Sequence, residues 1–142
     1  MRGDALYVRL LSGRYLTYHR PRLEPSDRRR GEWSISYEGY NTNAKNGATG
    51  WIRMRSWGGR FVENFVQAIA HDLHRFSKLN HESAGYPIVL HSYDETVSEV
   101  REDDKAKTVE DFERLMMILP TWAAGWPVKV AGGWRGGRYR KA

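Results

Sequence analysis

The sequence predicts an α+β domain with an antiparallel sheet and helices packed on one face. Short aromatic and β-branched stretches, separated by turn signals, fill the first third of the chain. A segment of about twenty residues then repeats its apolar side chains with the helical period. A second hairpin pattern and a second helical pattern come next, and this order of strands and helices is typical of the α+β class.

Length and composition limit the class of protein. The 142 residues suit a single domain, and a hydrophobic content of 40% is typical of a folded chain. The sequence has no cysteine, which excludes a disulfide scaffold and a thiol nucleophile. No apolar run is long enough to cross a membrane, and the first residues lack the core of a signal peptide, so we expect a cytoplasmic protein without a membrane partner.

Charge is segregated along the chain. Residues 1–60 hold 12 Lys and Arg against 5 Asp and Glu, residues 61–118 hold 6 against 12, and residues 119–142 hold 5 against none. Two basic flanks around an acidic middle suit a polyanionic partner with a carboxylate cluster inside the contact zone. Ordinary solvated surface charge is the alternative explanation, and it implies no partner.

Four strands are predicted before the first helix. Tyr7–Leu11 and Tyr15–Tyr18 flank Ser12-Gly13-Arg14, a hairpin signal with glycine in the turn. The other two predicted strands are Trp33–Tyr37 and Trp51–Ser56, because both stretches contain aromatic and β-branched residues. Loops are predicted between these strands, a basic, proline-containing one at 19–32 and one rich in Gly and Asn at 39–50.

A long amphipathic helix is predicted from about Arg60 to Asn80. Its apolar residues recur at helical spacing and form one stripe: Val62, Phe65, Val66, Ile69, Leu73, Phe76 and Leu79. Polar residues recur on the opposite side, each able to donate a hydrogen bond: Arg60, Asn64, Gln67, His71, His74 and Lys78.

The last third predicts a hairpin, a capped helix and a final strand. Tyr86–His91 and Thr96–Val100 are the hairpin strands, and the connection between them is acidic. Thr108 is the expected N-cap of the second helix, with Asp111 three residues later. The expected buried face of this helix consists of Val109, Phe112, Leu115, Met116 and Leu119. Pro120 is expected to end the helix, before a strand at Pro127–Ala131 and a basic tail at 132–142.

Asp94-Glu95, at the turn of this hairpin, is the strongest chemical feature. Mg²⁺ in proteins is usually held by one or two carboxylates together with substrate phosphates. Because the apolar strands on both sides fix the turn, the two carboxylates are expected at a defined position. An acidic turn with no metal is the alternative, since Asp is common in turns.

The polar side of the long helix suggests a contact with duplex nucleic acid. The minor groove presents hydrogen-bond acceptors at every base pair, so a row of donors can hold a duplex without reading its sequence. An ordinary solvated helix face explains the same residues. The tryptophans are expected to be packing residues, and only the basic surroundings of Trp134 suggest stacking on a base.

Other catalytic templates are missing from the sequence. It has no Gly-rich phosphate loop followed by Lys-Ser or Lys-Thr, no GxSxG and no HExxH. The Gly132–Gly137 segment does not connect a strand to a helix, which argues against a dinucleotide fingerprint.

Taken in order, several motifs resemble the C-terminal end of a family A DNA polymerase, the family of bacterial DNA polymerase I and many phage replicases. Residues 11–18, LSGRYLTY, are similar to a "PSGR-x-L-x-Y" strand turn, and residues 62–72, VENFVQAIAHD, to an "ENxxQAIARD" helix. Residues 86–95, YPIVLHSYDE, look like motif C, a strand that ends in "HDE". The segments WAAG at 122–125 and GWRGGRY at 133–139 resemble the family's terminal strand and tail.

The resemblance implies a polymerase palm and specific roles. Asp94 is then one of the two aspartates that hold catalytic Mg²⁺, with Glu95 in a weaker catalytic role beside it. Gln67 and Asn64 contact the minor groove of the primer–template, and Arg14, Arg60 and His71 are further DNA-binding candidates. The implied substrates are primer–template DNA and deoxynucleoside triphosphates, and the implied cofactor is Mg²⁺ in a two-metal site shared with a second Asp motif.

Two departures from the family pattern shape the functional hypothesis. Tyr93 replaces the histidine that precedes the acid pair; it cannot offer a protonated imidazole, although its hydroxyl can still donate to a phosphate of the primer. The family's other metal-binding Asp motif and its triphosphate-binding fingers helix have no counterpart in the sequence. We therefore expect a partial polymerase, located in the host cytoplasm if phage-encoded, that needs a complementary polymerase fragment. The alternatives are a non-catalytic DNA-binding fragment and a decayed gene product.

Overall fold

The protein is described from a computed structural model, which covers residues 4–26, 30–43, 45 and 47–139. The chain divides into two compact units, Met1–Ala68 and Ile69–Ala142. Helix α1, Gly58–Ser83, contributes residues to both units. The α+β class is confirmed, with a four-stranded antiparallel sheet, a separate two-stranded sheet and two α-helices among the described residues.

The first unit is built on the four-stranded sheet. Strands β1 (Ala5–Arg9), β2 (Tyr15–Pro25), β3 (Trp33–Asn41) and β4 (Gly50–Ser56) follow one another in space as in sequence, each antiparallel to the next. The predicted first hairpin is confirmed: the amide of Leu10 donates to the carbonyl of Arg14 at 2.8 Å. Gly13 in its turn has a φ of 87°, a left-handed conformation that glycine adopts without a steric penalty.

One face of this sheet packs against the first turns of α1. The strand register places the aliphatic side chains together on that face: Leu6, Val8, Leu16, Ile35, Ile52 and Met54. Tyr18 and Tyr37 lie on the same face, and the ring of Phe61 on α1 meets Tyr18 edge-on at a centroid distance of 4.9 Å. This aromatic cluster is the core of the first unit.

The predicted loops are shorter than expected. Residues 19–25 lie in β2, which passes through an irregularity between His19 and Arg22 and continues to pair with β3. Residues 39–41 lie in β3, and residue 50 begins β4. Two prolines, Pro21 and Pro25, and the irregularity between His19 and Arg22 interrupt the strand pattern of this segment, which is why the sequence predicts a loop. Residues 27–29, 44 and 46, which fall within the predicted loops, lie outside the described residues.

Helix α1 buries a different set of residues from the predicted apolar stripe. Asp72, Ser77 and His81 are its buried residues. Val62 and Val66 are about 60% exposed, and so is Leu79, whereas the other members of the stripe are half-buried: Phe65, Ile69, Leu73 and Phe76. The helix itself is therefore confirmed, but the residues that it buries are polar and differ from the predicted apolar stripe.

The second unit joins the later turns of α1 to a hairpin and a short helix. Strands β5 (Ile88–Ser92) and β6 (Glu95–Ser98) form the predicted hairpin, and α2 spans Val109–Met116. Thr108 caps α2 as predicted: its hydroxyl accepts the amide of Asp111 at 3.1 Å. The predicted buried face of α2 is confirmed by Leu115, which is 6% exposed, and by three half-buried neighbours, Val109, Phe112 and Met116. The helix ends at Met116, so the half-buried Leu119 and the predicted stop at Pro120 lie beyond it.

Helices α1 and α2 meet at His81, which is completely buried. Its Nε2 lies 2.8 Å from the carbonyl oxygen of Phe112, and the two rings are 4.0 Å apart between centroids. Tyr86 packs edge-on against both rings, and its hydroxyl donates to Asp111 at 3.0 Å. The carboxylate of Asp111 also accepts from Arg114, so the start of α2 is tied both to itself and to the core.

The strand predicted at Pro127–Ala131 is wrong. These residues have irregular backbone and pair with no strand that the structure describes. A β-branched run forms a strand only where a neighbouring edge offers backbone hydrogen bonds, and Pro127 cannot donate one. Within the described part of the chain, no helix has both the length and the apolar character needed to cross a bilayer.

Candidate functional site

The acidic hairpin, which is β5, β6 and the turn Tyr93-Asp94, presents the predicted catalytic residues. Ser92 pairs with Glu95, so only two residues make the turn. Tyr93 is 94% exposed with a φ of 52°, and Asp94 is also exposed. A left-handed conformation is costly for tyrosine, so the pairing of the two strands holds this turn against its local preference.

His74 on α1 lies beside the acidic hairpin. Its Nε2 is 2.5 Å from the hydroxyl oxygen of Thr96, the residue after Glu95, and its ring is 6.3 Å from that of His91. Burial lowers the pKa of His74, and the positive charges of Lys78, His91 and His71 lower it further, whereas Asp94 opposes the shift. The imidazole of His74 is therefore neutral at pH 7 and acts there as a hydrogen-bonding group.

Glu95 is held from the other side by the C-terminal tail, residues 132–139. The hydroxyl of Tyr139 is hydrogen-bonded to Glu95. Burial and this hydrogen bond raise the pKa of Tyr139, so its hydroxyl keeps the proton that it donates. The ring of Tyr139 stacks on Trp134 with an interplanar angle of 23°. The tail, β6 and α2 line a cleft of about 770 Å³ whose wall includes both Glu95 and Tyr139.

Arg135 fastens the tail to the loop that precedes α2. Its guanidinium donates to four backbone carbonyls at 2.7–3.3 Å, those of Arg101, Glu102, Asp104 and Lys107. The amide of Gly133 donates to Glu113 on α2 at 2.5 Å. The guanidinium group is planar and has five N–H donors, so it can bond to several carbonyls at once. A lysine ammonium cannot reproduce this geometry.

The acidic hairpin supplies carboxylate oxygens of the kind that Mg²⁺ prefers. Asp94 is exposed and can reach a cation, and Glu95 is oriented by Tyr139. Among the described residues, no three His, Cys, Asp or Glu side chains cluster closely enough to hold a metal ion. Asp94 and Glu95 are therefore the two adjacent carboxylates that the hairpin offers to a cation.

The predicted DNA-binding residues of the first unit have two different environments. Arg14 donates to the carbonyl of Ala68 on α1 at 3.0 Å, and the amide of Asn64 donates to the hydroxyl of Tyr18 at 3.3 Å. Both side chains therefore brace α1 against the first hairpin. Gln67 and Arg60 are exposed, although Gln67 also donates to Glu63 one turn earlier at 3.3 Å.

His71, the remaining DNA-binding candidate, lies in the second unit. It is exposed, and its Nδ1 is 4.0 Å from the buried carboxylate of Asp72. His71 and Asp94 both influence the pKa of His74, His71 by lowering it and Asp94 by raising it.

Several residues of the site escaped sequence reasoning. Thr96 and Tyr139 gave no local signal, because each contacts its partner across many residues of chain. Arg135 lies in the predicted basic tail, and the sequence does not indicate that its side chain binds backbone carbonyls. The sequence predicts His74 as one of the polar donors on α1. It does not show that His74 contacts the acidic hairpin, because that contact depends on how α1 lies beside β6.

Comparison with known proteins supports the sequence-based resemblance. The chain matches no family model and no solved structure. It is 38% identical over 128 residues to a DNA polymerase of Bacillus phage SP02. The aligned region covers 89% of this chain and 18% of that polymerase, so the chain spans less than a fifth of its relative's length. The predicted resemblance to a DNA polymerase is therefore confirmed, and it is a resemblance to a fragment of one.

Proposed function

We propose that this chain is the palm segment of a family A DNA polymerase and takes part in template-directed DNA synthesis. The observation that carries the proposal is the 38% identity to a phage DNA polymerase over 89% of the chain. Because the chain spans 18% of that relative, the other metal-binding Asp motif and the fingers must come from further polymerase sequence, in the same polypeptide or in a complementary fragment.

Asp94 is the residue that would hold Mg²⁺. In a two-metal site the cations stabilise the charge on the attacking and leaving oxygens of the transferred phosphoryl group. Asp94 contributes a carboxylate from an exposed two-residue turn, and Glu95 lies beside it with its orientation set by Tyr139. The hydroxyl of Tyr93 is exposed at the same turn and can donate to a phosphate of the primer.

Primer–template DNA and deoxynucleoside triphosphates are the proposed substrates. Gln67 and Arg60 offer exposed donors on α1, and His71 offers a third. Donors of this kind hold a duplex through groove acceptors that every base pair presents. The basic flanks of the sequence add phosphate contacts, whose strength must fall as the salt concentration rises.

A non-catalytic DNA-binding fragment is the second candidate. It is favoured by the single carboxylate pair at the acidic hairpin and by the lack of a three-ligand metal cluster among the described residues. Under this alternative the basic surfaces bind DNA, and Asp94 has no role in chemistry.

A chimeric polymerase separates the two candidates. The segment of the phage SP02 polymerase that aligns with this chain is replaced by the chain itself, and extension of a primed template is measured with Mg²⁺. We expect the chimera to extend primers and the isolated 142-residue chain not to. A chimera that is folded and binds the primed template but adds no nucleotide, beside an active parent polymerase, would favour the non-catalytic candidate.

A further inference from the structure

The face of the four-stranded sheet that α1 does not cover carries an unusual set of side chains. Residues directly opposite each other in an antiparallel pair point to the same side, so the register defines this open face. Its large members are all aromatic, polar or charged: Tyr7, Arg9, Tyr15, Thr17, His19, Arg22, Glu24, Glu38, Tyr40, Trp51, Arg53 and Arg55. Apart from the small residue Ala5, the aliphatic residues of these strands lie on the opposite face.

The aromatic rings of the open face form two exposed groups. Trp51 and Tyr40 are directly opposite on β4 and β3, are 65% and 61% exposed, and lie 6.2 Å apart between ring centroids. His19 on β2 meets Trp51 edge-on at 5.8 Å. Tyr7 and Tyr15 form the second group on β1 and β2, at 6.3 Å, and both are about half exposed.

Basic side chains surround these rings. Glu38 is held by Arg20 at 3.1 Å and by Arg53 at 3.3 Å, and Glu24 is held by Arg55 at 3.4 Å. Arg9 and Arg22 also lie on this face, so that it carries five arginines and two glutamates. The open face therefore has an excess of positive charge around rings that present apolar surface to solvent.

We propose that this open face binds single-stranded DNA. Stacking on aromatic side chains holds unpaired bases whatever their sequence, and arginines along the same surface hold the phosphates between them. In other proteins a four-stranded sheet with exposed aromatic residues stacks two or three bases in this way. Three neighbouring strands span about 10 Å, which is enough for a short stretch of unpaired nucleotides.

The chemistry of the open face favours single-stranded DNA over a duplex. A protein partner would use the same residue types, because aromatic residues and arginine are enriched in protein–protein interfaces, and a chain that does not bind oligo-dT would point to that partner instead. Paired bases in a duplex cannot offer their faces to Trp51 or Tyr40. The inference rests on the proposed function for its choice of DNA, since a polymerase handles an unpaired template strand beside the duplex.

Fluorescence anisotropy with a labelled oligo-dT of about twenty nucleotides tests the proposal on the full 142-residue chain. Trp51→Ala should weaken binding roughly ten- to a hundredfold, because stacking contributes about that much for each base. Trp51→Phe should restore most of the affinity. Trp33→Ala is the matched control, since Trp33 is 70% exposed on the other face of the same sheet, and it should bind like the unmodified chain.

Several results would overturn the proposal. Equal affinity of Trp51→Ala and Trp33→Ala would exclude stacking on Trp51 as the basis of binding. A duplex of the same length that competes as well as oligo-dT would show that phosphates alone are recognised, and failure of the unmodified chain to bind oligo-dT would remove the site. Circular dichroism and urea unfolding of each variant establish that it is folded. None of these measurements depends on nucleotide addition, so an inactive chimera would leave the result unchanged.

Discussion

The imidazole of His74 lies 2.5 Å from the hydroxyl of Thr96, and Thr96 follows directly after Glu95. This contact links α1 to β6 within the second unit, at the end of the hairpin that carries Asp94. The hydrogen bond between this neutral histidine and Thr96 joins the hairpin to α1 without placing a positive charge beside the carboxylates. The acidic hairpin thus interacts with His74 at Thr96 and with Tyr139 at Glu95.

The stability of the protein should depend on pH through His74. Its pKa in the folded state is below the value of 6.5 expected in the unfolded chain, chiefly because of burial. As the pH falls below 6.5 the unfolded chain binds the proton first, so the free energy of unfolding decreases until the lower folded pKa is reached. Urea unfolding between about pH 7.5 and about pH 5 should show this loss.

His74→Gln should remove that component of the pH dependence, and His71→Gln should retain it. His71 is the matched control, because it is an exposed histidine three residues earlier on the same helix. Parallel pH profiles for the unmodified protein and His74→Gln would contradict the assignment of a neutral, partly buried imidazole.

The left-handed backbone of Tyr93 gives a second prediction. Its φ of 52° costs a non-glycine residue about 1 kcal/mol, and its ring makes little contact because it is 94% exposed. Tyr93→Asn should therefore raise the free energy of unfolding by up to about 1 kcal/mol, since asparagine tolerates this conformation. Tyr93→Val should lower it, because a β-branched residue is disfavoured at positive φ. If the valine variant is the more stable of the two, the turn does not have the geometry described.

The contacts of Arg135 predict how the tail responds to substitution. Arg135→Lys removes the planar fork that reaches four carbonyls, so the amide of Gly133 should exchange its hydrogen about tenfold faster. Hydrogen exchange measured by mass spectrometry on the C-terminal peptide detects this change. Arg138→Ala, at an exposed arginine of the same tail, is the control and should leave the exchange rate of Gly133 unchanged. Equal exchange in all three proteins would mean that Arg135 does not hold the tail.

The sequence predicted those elements whose signals are local. Helix α2 was found because Thr108 and Asp111 mark its first turn, and the acidic hairpin because two apolar runs flank a polar turn. The predicted second strand ends too early because prolines and a register shift between His19 and Arg22 interrupt the pattern of β2.

The sequence did not predict the contacts between residues that are far apart along the chain. The strand at Pro127–Ala131 was predicted from composition, but strand formation depends on a free sheet edge that local sequence does not reveal. The exposure of Trp51 and Tyr40 follows from which sheet face α1 covers, and that depends on the register of all four strands. Tyr139 and Glu95 are far apart in the sequence, and local patterns do not reveal that both line the same cleft.

The proposal that Asp94 is a catalytic metal ligand is tested most directly in the chimeric polymerase. Nucleotide addition is measured with the chimera that carries Asp94→Asn. Asparagine keeps the size of the side chain and suits a turn, so the acidic hairpin should fold as before. Single-nucleotide incorporation and affinity for primed duplex are measured together, with Asp103→Asn as the control at another exposed carboxylate. We expect Asp94→Asn to abolish incorporation while duplex affinity stays equal or rises slightly, because the substitution removes a negative charge that would repel DNA phosphates. Incorporation by Asp94→Asn at the rate of the Asp103→Asn control would contradict the proposal.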